Sequence, residues 1–474
     1  MKLLRSFSAS GWEPKMKKFT VKPRVFSTSP GYAGTPNLES KNWVYTGRLG
    51  EAGPLTDVRF DIDSAHVIAL FGKRGSGKSY TLGSFLEGLC TKHRESSIAQ
   101  NPRNHSILLF DTLGIFQWMN ILLKEGSQKE VLREQYAVRR GWQIKPEPLD
   151  VTIWIPKGTR TPSTPAGHLE FTINCSDFAA EDWGYLLGLN IYQDRMGQLL
   201  NDAYIKVTLE GWSDANKRHN PNPQYSLEEV ISCVKTDLEI NSSYQSETQR
   251  AVLQQLMTYH RNPMFADQGT PLQEFLKPGR MSVIVMNKMS DELRLIVLSA
   301  LMRRLIASRV QASEAEKQLK IMDTLAPEEN ASLESLLASA APPTWACIDE
   351  AQNILPAEKK TSATDVIVKY VREGRNYGLS FVVATQQPTA IDPRILAQVD
   401  TLIVHKLTVQ GDIDYIRKNI KSNLPEEVKY ANASLNFDQL IRGLDVGQAL
   451  VSNTETERAF IMDVRPRISV HGGF

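Results

Sequence analysis

Phe71–Gly72–Lys73–Arg74–Gly75–Ser76–Gly77–Lys78–Ser79 decides how this chain folds. From Gly72 to Ser79 the spacing is GxxxxGK[ST], and the flanks are those the motif needs. His66–Val67–Ile68–Ala69–Leu70 reads as a strand and Tyr80 to Leu89 as a helix. Glycines let successive backbone N–H groups turn inward around an anion, and the helix N-terminus adds partial positive charge. Residues Gly72, Lys73, Arg74, Gly75, Ser76, Gly77, Lys78 and Ser79 are therefore the candidate cradle for ATP. Lys78 is placed to reach the β- and γ-phosphates and Ser79 to hold Mg²⁺. The motif specifies a nucleotide but not the work done with it.

Further along, Trp345–Ala346–Cys347–Ile348–Asp349–Glu350 reads as a strand ending in adjacent carboxylates. Asp349 is placed to complete the Mg²⁺ shell and Glu350 to polarise an attacking water. Leu379 to Gln386 is another buried strand with a polar end. Gln386 either senses the γ-phosphate and orients water or is an ordinary strand-end glutamine. Ser106–Ile107–Leu108–Leu109–Phe110–Asp111 also ends in a carboxylate, which either faces the nucleotide or caps the next turn. Met281 to Met286 and Thr401 to Lys406 add more strands, with helical stretches between them. This recurrence predicts an α/β fold around a mostly parallel sheet.

The chain is long enough, at 474 residues, for more than one lobe. Its 55 basic and 53 acidic residues nearly cancel, so net charge neither implies nor excludes nucleic acid. Cys90, Cys175, Cys233 and Cys347 lack metal-ligand spacing and read as reduced, packed thiols of a cytoplasmic protein. No apolar run reaches membrane-spanning length, and the basic start from Met1 to Arg24 lacks the apolar segment of a secretory signal. That start reads as a solvated arm or an arm that touches nucleic acid.

Residues 1–61 form a β-rich N-terminal segment, short enough to be a reduced barrel. The core begins over 62–114, is interrupted by a mostly helical insertion over 115–271 and resumes over 272–464. Within the second core part, 311–343 reads as a flexible connector with short helical pieces, because its apolar content is small. Helix is expected over Phe116 to Leu132, Asp291 to Arg309 and Pro425 to Ala433. Arg294, Arg303, Arg304 and Arg309 either line a partner surface or are simply solvated. Residues 465–474 read as an extended basic tail.

Several stretches together resemble one family. Arg372–Glu373–Gly374–Arg375–Asn376–Tyr377–Gly378–Leu379 precedes Ala384–Thr385–Gln386–Gln387–Pro388, and Pro278–Gly279–Arg280 forms a turn. The terminal Arg465–Pro466–Arg467 and His471–Gly472–Gly473 complete the set. From about residue 44 onward the chain resembles the HerA branch of the FtsK–HerA superfamily of RecA-like motor ATPases.

The resemblance implies a RecA-like P-loop NTPase core assembled as a homo-hexameric ring, with ATP and Mg²⁺ between subunits and double-stranded DNA in the central channel. Lys78 and Ser79 match the phosphate-loop residues, and Asp349 and Glu350 the metal and water-activating pair. Gln386 matches the polar sensor. Arg375 matches a finger that enters the neighbour's site, with a local ion pair to Glu373 or another carboxylate as the alternative reading.

Two departures stand out. Gly114–Ile115–Phe116 lacks the acidic residue often found there, and the N-terminal barrel is short. The second departure opens a specialised role, such as the ATPase subunit of an antiphage complex with a nuclease or other effector. A DNA translocase or helicase, an effector-regulating ATPase and a nucleotide-dependent scaffold thus compete. Lys359 and Lys360, in the loop after Glu350, either contact DNA phosphates or form a solvated loop tip.

Overall fold

The computed structural model describes residues 30–35, 40–50, 56–322, 324, 326–420, 427–430, 433–454 and 458–473. The expected basic arm from Met1 to Arg24 lies outside them. Among the described residues the fold is built on one fourteen-stranded sheet. Its strands, in chain order, are β1 (Gly31–Ala33), β2 (Trp43–Leu49), β3 (Asp57–Asp61), β4 (Val67–Phe71), β5 (Ala99–Gln100), β6 (Ser106–Asp111) and β7 (Val151–Pro156). There follow β8 (Leu169–Phe171), β9 (Met281–Val285), β10 (Thr344–Ile348), β11 (Leu379–Thr385), β12 (Thr401–Val404), β13 (Gln448–Asn453) and β14 (Arg458–Val464).

Across the sheet the order is β1-β3-β2-β14-β13-β12-β4-β11-β10-β6-β9-β7-β8, with β5 paired to β2. Every pairing from β12 to β8 is parallel. Beyond β12, the pairings β12-β13, β13-β14, β14-β2 and β2-β3 are antiparallel, and the last, β3-β1, is parallel. The N-terminal strands therefore extend the main sheet through β14.

The apolar runs of the parallel strands are continuous because both faces are covered. Alternate residues divide between two layers, as a pleat requires. Ile68, Leu70, Ile107, Leu109, Trp345, Cys347 and Val382 pack against Leu82, Phe85, Leu86 and Leu89 of the helix Lys78–Leu89. Val67, Ala69, Leu108, Phe110, Ala346, Ile348 and Phe381 face the helices Asp291–Ile321 and Thr364–Glu373. The helical insertion shares this second core through Trp183, Leu199, Leu200 and Val230.

Four local expectations differ from the structure. The helix expected to end at Arg309 runs to Ile321, followed by a second helix over Pro327–Ser339, where a flexible connector with short helical pieces was expected. Small residues allow this: Ala312, Ser313 and Ala315 are buried, and Ser313 Oγ donates to the Asn376 carbonyl at 3.3 Å. Phe116 to Leu132, expected to be mostly helical, holds a 3-10 turn over Phe116–Trp118 and only the first residues of a helix that starts at Glu130. Glu427–Tyr430 is a strand paired with Ala433–Asn436, in place of the helix expected over Pro425–Ala433.

The charged segments also differ. The four helix arginines are bound within the chain: Arg303 to Asp182, Arg304 to Asp177, Arg294 to Asp291 and the Met286 carbonyl, and buried Arg309 to Glu316 and two carbonyls. The expected basic tail is folded in, with Arg465 and Arg467 fully buried. Among the described residues no helix is long and apolar enough to cross a membrane.

Candidate nucleotide site

The parallel strands all end at one edge of the sheet, where α/β folds bind ligands. The phosphate loop leaves β4 there, and its backbone carries the conformations the motif requires. Gly75 and Gly77 have φ of 75° and 106°, which favour glycine. Gly72 sits under the loop, where an added Cβ would come within 2.4 Å of Ser76 Oγ and 2.8 Å of His405 Cβ. Lys73 and Arg74 are exposed at the loop tip, while Ser76 and Lys78 are buried.

Lys78, Ser79, Asp349, Glu350 and Gln386 converge at this edge. Lys78 Nζ donates to Asp349 Oδ1 at 2.8 Å and Glu350 Oε1 at 3.0 Å. Ser79 Oγ donates to Asp349 Oδ2 at 3.0 Å, and Gln386 Nε2 donates to Glu350 Oε1 at 2.8 Å. The pair of hard oxygens on Ser79 and Asp349 suits Mg²⁺, which prefers such donors. The glycines and Lys78 suit a phosphate chain.

Electrostatics keep the site charged despite burial. Burial opposes the ionised form of Glu350, but Lys78, Gln352 and Gln386 outweigh it and hold its pKa below the usual range. Burial likewise opposes the charged form of Lys78, and Asp349 and Glu350 outweigh it, raising its pKa. Asp111 is the contrasting carboxylate. Burial, helped by the charge of Asp349, pushes it up to about 7. Of the two readings the sequence left open, the structure shows the cap: fully buried, it accepts backbone N–H bonds from Gly114, Ile115 and Phe116.

Several supporting groups escape a reading of motifs. Gln352 Nε2 donates to Glu350 Oε2 at 2.7 Å, and Thr385 Oγ1 donates to Gln352 Oε1 at 2.7 Å. Thr112 Oγ1 donates to the Asp349 carbonyl at 3.1 Å. His405 lies beneath the loop, fully buried, bonded to Thr81 Oγ1 at 2.9 Å and to the Gln448 carbonyl at 2.7 Å. Burial pushes its pKa down to about 4, so it stays neutral. The strand-end polar residues Gln386 and Thr385 signal such a site in sequence, whereas Gln352 and His405 carry no spacing rule.

Two other groups lie elsewhere. Arg375 sits in a 3-10 turn that leads into β11 and is ion-paired with Asp400. Gln386 follows the other end of that strand, so the two are about 20 Å apart along it. Arg375 is thus at the opposite edge of the sheet from its own chain's phosphate loop. Lys359 and Lys360 are exposed in the loop after Glu350, and Lys360 Nζ is 3.7 Å from Asp365.

Residues 44–305, more than half of the chain, match the family model "Helicase HerA, central domain". The span contains the phosphate loop and ends before Asp349. The chain is 23% identical over 260 residues to the DNA double-strand break repair helicase HerA of Pyrococcus furiosus, covering 53% of this chain and 42% of that one. It is 24% identical over 259 residues to the protein of the same name from Saccharolobus solfataricus, covering 54% and 45%. The chain thus spans less than half the length of these curated relatives. Among solved structures, VirB4 of Thermoanaerobacter pseudethanolicus is similar at a TM-score of 0.49 and 12% identity, covering 90% of this chain and 97% of that one. With the phosphate loop in place on a mostly parallel α/β sheet and the family match over more than half its length, the chain belongs to the HerA branch of the FtsK–HerA superfamily.

Proposed function

We propose that this chain hydrolyses ATP as a subunit of a hexameric DNA translocase or helicase, with ATP at subunit junctions and double-stranded DNA in the channel. The observation that carries the reading is the convergence of Lys78, Ser79, Asp349, Glu350 and Gln386 at hydrogen-bond distance. Their roles follow from that geometry. Lys78 now neutralises both carboxylates, and an arriving triphosphate competes for its ammonium. Once Lys78 turns to the phosphates, Gln386 and Gln352 still hold the two oxygens of Glu350. The ionised carboxylate is then positioned to accept a proton from the attacking water. Bound Mg²⁺, held by Ser79 Oγ and Asp349, would neutralise charge on the phosphates.

Arg375 serves the neighbouring subunit's site, where a guanidinium stabilises developing phosphate charge. Glu350→Gln keeps the shape of the site and removes the base. It should bind ATP like the parent and lose at least about 100-fold in turnover. Steady-state hydrolysis at the parent's rate would falsify the assignment of Glu350. Hydrolysis that duplex DNA does not stimulate would move the reading to an ATPase that regulates a nuclease or other effector.

A further inference from the structure

Residues 157–168, Lys-Gly-Thr-Arg-Thr-Pro-Ser-Thr-Pro-Ala-Gly-His, form the loop after β7, at the same edge of the sheet as the nucleotide site. The loop has no acidic residue and is exposed at Lys157, Arg160, Thr161 and Ser163. Lys288, after the end of β9, reaches under it and donates to the Thr159 carbonyl at 3.0 Å. Arg160 Nη2 donates to the His168 carbonyl at 2.5 Å. Among the described residues the carboxylate bonded to the loop is that of Glu170, which accepts from Gly158 N at 3.2 Å.

Arg103, Arg280, Arg294, Arg303 and Arg304 all pair with carboxylates. Among the described residues, Lys157, Arg160 and Lys288 pair with none. In the basic loop after Glu350, Lys360 faces Asp365, Arg394 shares that carboxylate, and Glu358 precedes the lysines, while Lys73 and Arg74 of the phosphate loop are exposed and belong to the nucleotide cradle. The 157–168 loop, with Lys288, is thus an exposed surface whose three basic groups pair with no carboxylate among the described residues, which suits phosphate oxygens and gives no means of reading bases.

The loop is also tied to the nucleotide site by a contiguous chain of contacts. Thr112 bonds the Asp349 carbonyl, and Asp111 binds the backbone of Gly114 to Phe116. Gly114 packs against the Asn287 amide, which an added Cβ would approach to 2.3 Å. The residue after Asn287 is Lys288, which holds the loop.

We propose that the loop 157–168, braced by Lys288, is the surface on which each subunit grips the phosphate backbone of duplex DNA. The proposal rests on the DNA-motor reading above. Its test is fluorescence anisotropy of a labelled duplex titrated with full-length protein between about 50 and 200 mM salt. The Lys157→Gln/Arg160→Gln double variant should bind more weakly, and its slope of log affinity against log salt should be shallower by about 2. ATP turnover without DNA should match the parent. Lys157→Glu, at an exposed position bonded to no carboxylate, is the second variant and should weaken binding while leaving the fold intact. Parent-like affinity and slope in both variants overturn the inference, and loss in a Lys359→Ala/Lys360→Ala variant instead moves the DNA to that loop. A parent that hydrolyses ATP but binds no duplex at any salt overturns the DNA-motor reading itself, and this surface with it.

Discussion

Glu350 has φ 53° and ψ 47°, and among the described residues it and Arg103 are the non-glycine residues with positive φ. The left-handed conformation costs on the order of 1–3 kcal/mol for a residue with a Cβ. It turns the chain sharply after β10, so that two adjacent carboxylates both meet Lys78 instead of pointing to opposite sides, as they would along a strand. The same turn brings Gln352 back onto Glu350. Glycine relieves the strain that alanine keeps, while both remove the carboxylate. Glu350→Gly should therefore unfold at higher denaturant than Glu350→Ala, by about 1 kcal/mol in chemical denaturation. Equal stabilities would mean that the turn carries no strain. The carboxylate pair itself was legible in sequence, because a strand-end Asp-Glu behind a phosphate loop has few other uses. Gln352 was not, because its position follows from a backbone turn with no sequence signature.

The helix Lys78–Leu89 connects the phosphate loop to a buried charge cluster at its far end. Glu87 is fully buried and accepts from Arg465 Nη1 at 2.9 Å, Arg467 Nε at 3.3 Å, and Ser469 through N at 2.9 Å and Oγ at 2.6 Å. Burial opposes its charge, but Arg465 and Arg467 outweigh that and hold its pKa below the usual range. Arg467 N also donates to the hydroxyl of Tyr80, the residue after Ser79, at 2.8 Å. Gly83 makes room for the Arg467 guanidinium, which an added Cβ would approach to 2.5 Å.

Residues 465–471 thus strap the helix that carries Lys78. Glu87→Ala would leave two buried guanidinium groups without their carboxylate and should cost about 3–5 kcal/mol in denaturant unfolding. A loss under about 1 kcal/mol would mean that water replaces the carboxylate there. Sequence could not show this cluster, because its acid and its bases are hundreds of residues apart and each reads locally as a surface charge. The parallel strands and the phosphate loop were legible for the opposite reason: their signals are local.

At the scale of the whole molecule, the two edges of the parallel sheet separate the nucleotide-site residues from Arg375. Lys78, Ser79, Asp349, Glu350 and Gln386 occupy the edge where the strands end. Arg375 and its partner Asp400 occupy the edge where β11 and β12 begin. Asp400 is held independently of Arg375, accepting from Val67 N at 2.7 Å and Thr401 Oγ1 at 2.7 Å, with His66 Nδ1 3.5 Å away. Release of the guanidinium would therefore leave that carboxylate with partners. No side-chain movement carries Arg375 about 20 Å along β11 to its own nucleotide. If it acts in hydrolysis, it acts in trans, across a head-to-tail junction in which one subunit's strand-start edge faces its neighbour's strand-end edge.

Arg375→Ala should bind ATP and turn over very little, and Lys78→Ala should bind poorly and turn over very little. Mixed in equal amounts, the first variant contributes intact pockets and the second intact fingers. Random mixing makes about one junction in four productive, and turnover should rise well above that of either variant alone. Light scattering or native mass spectrometry would establish that mixed assemblies form. If they form and turnover does not recover, Arg375 acts only inside its own subunit, as the partner of Asp400.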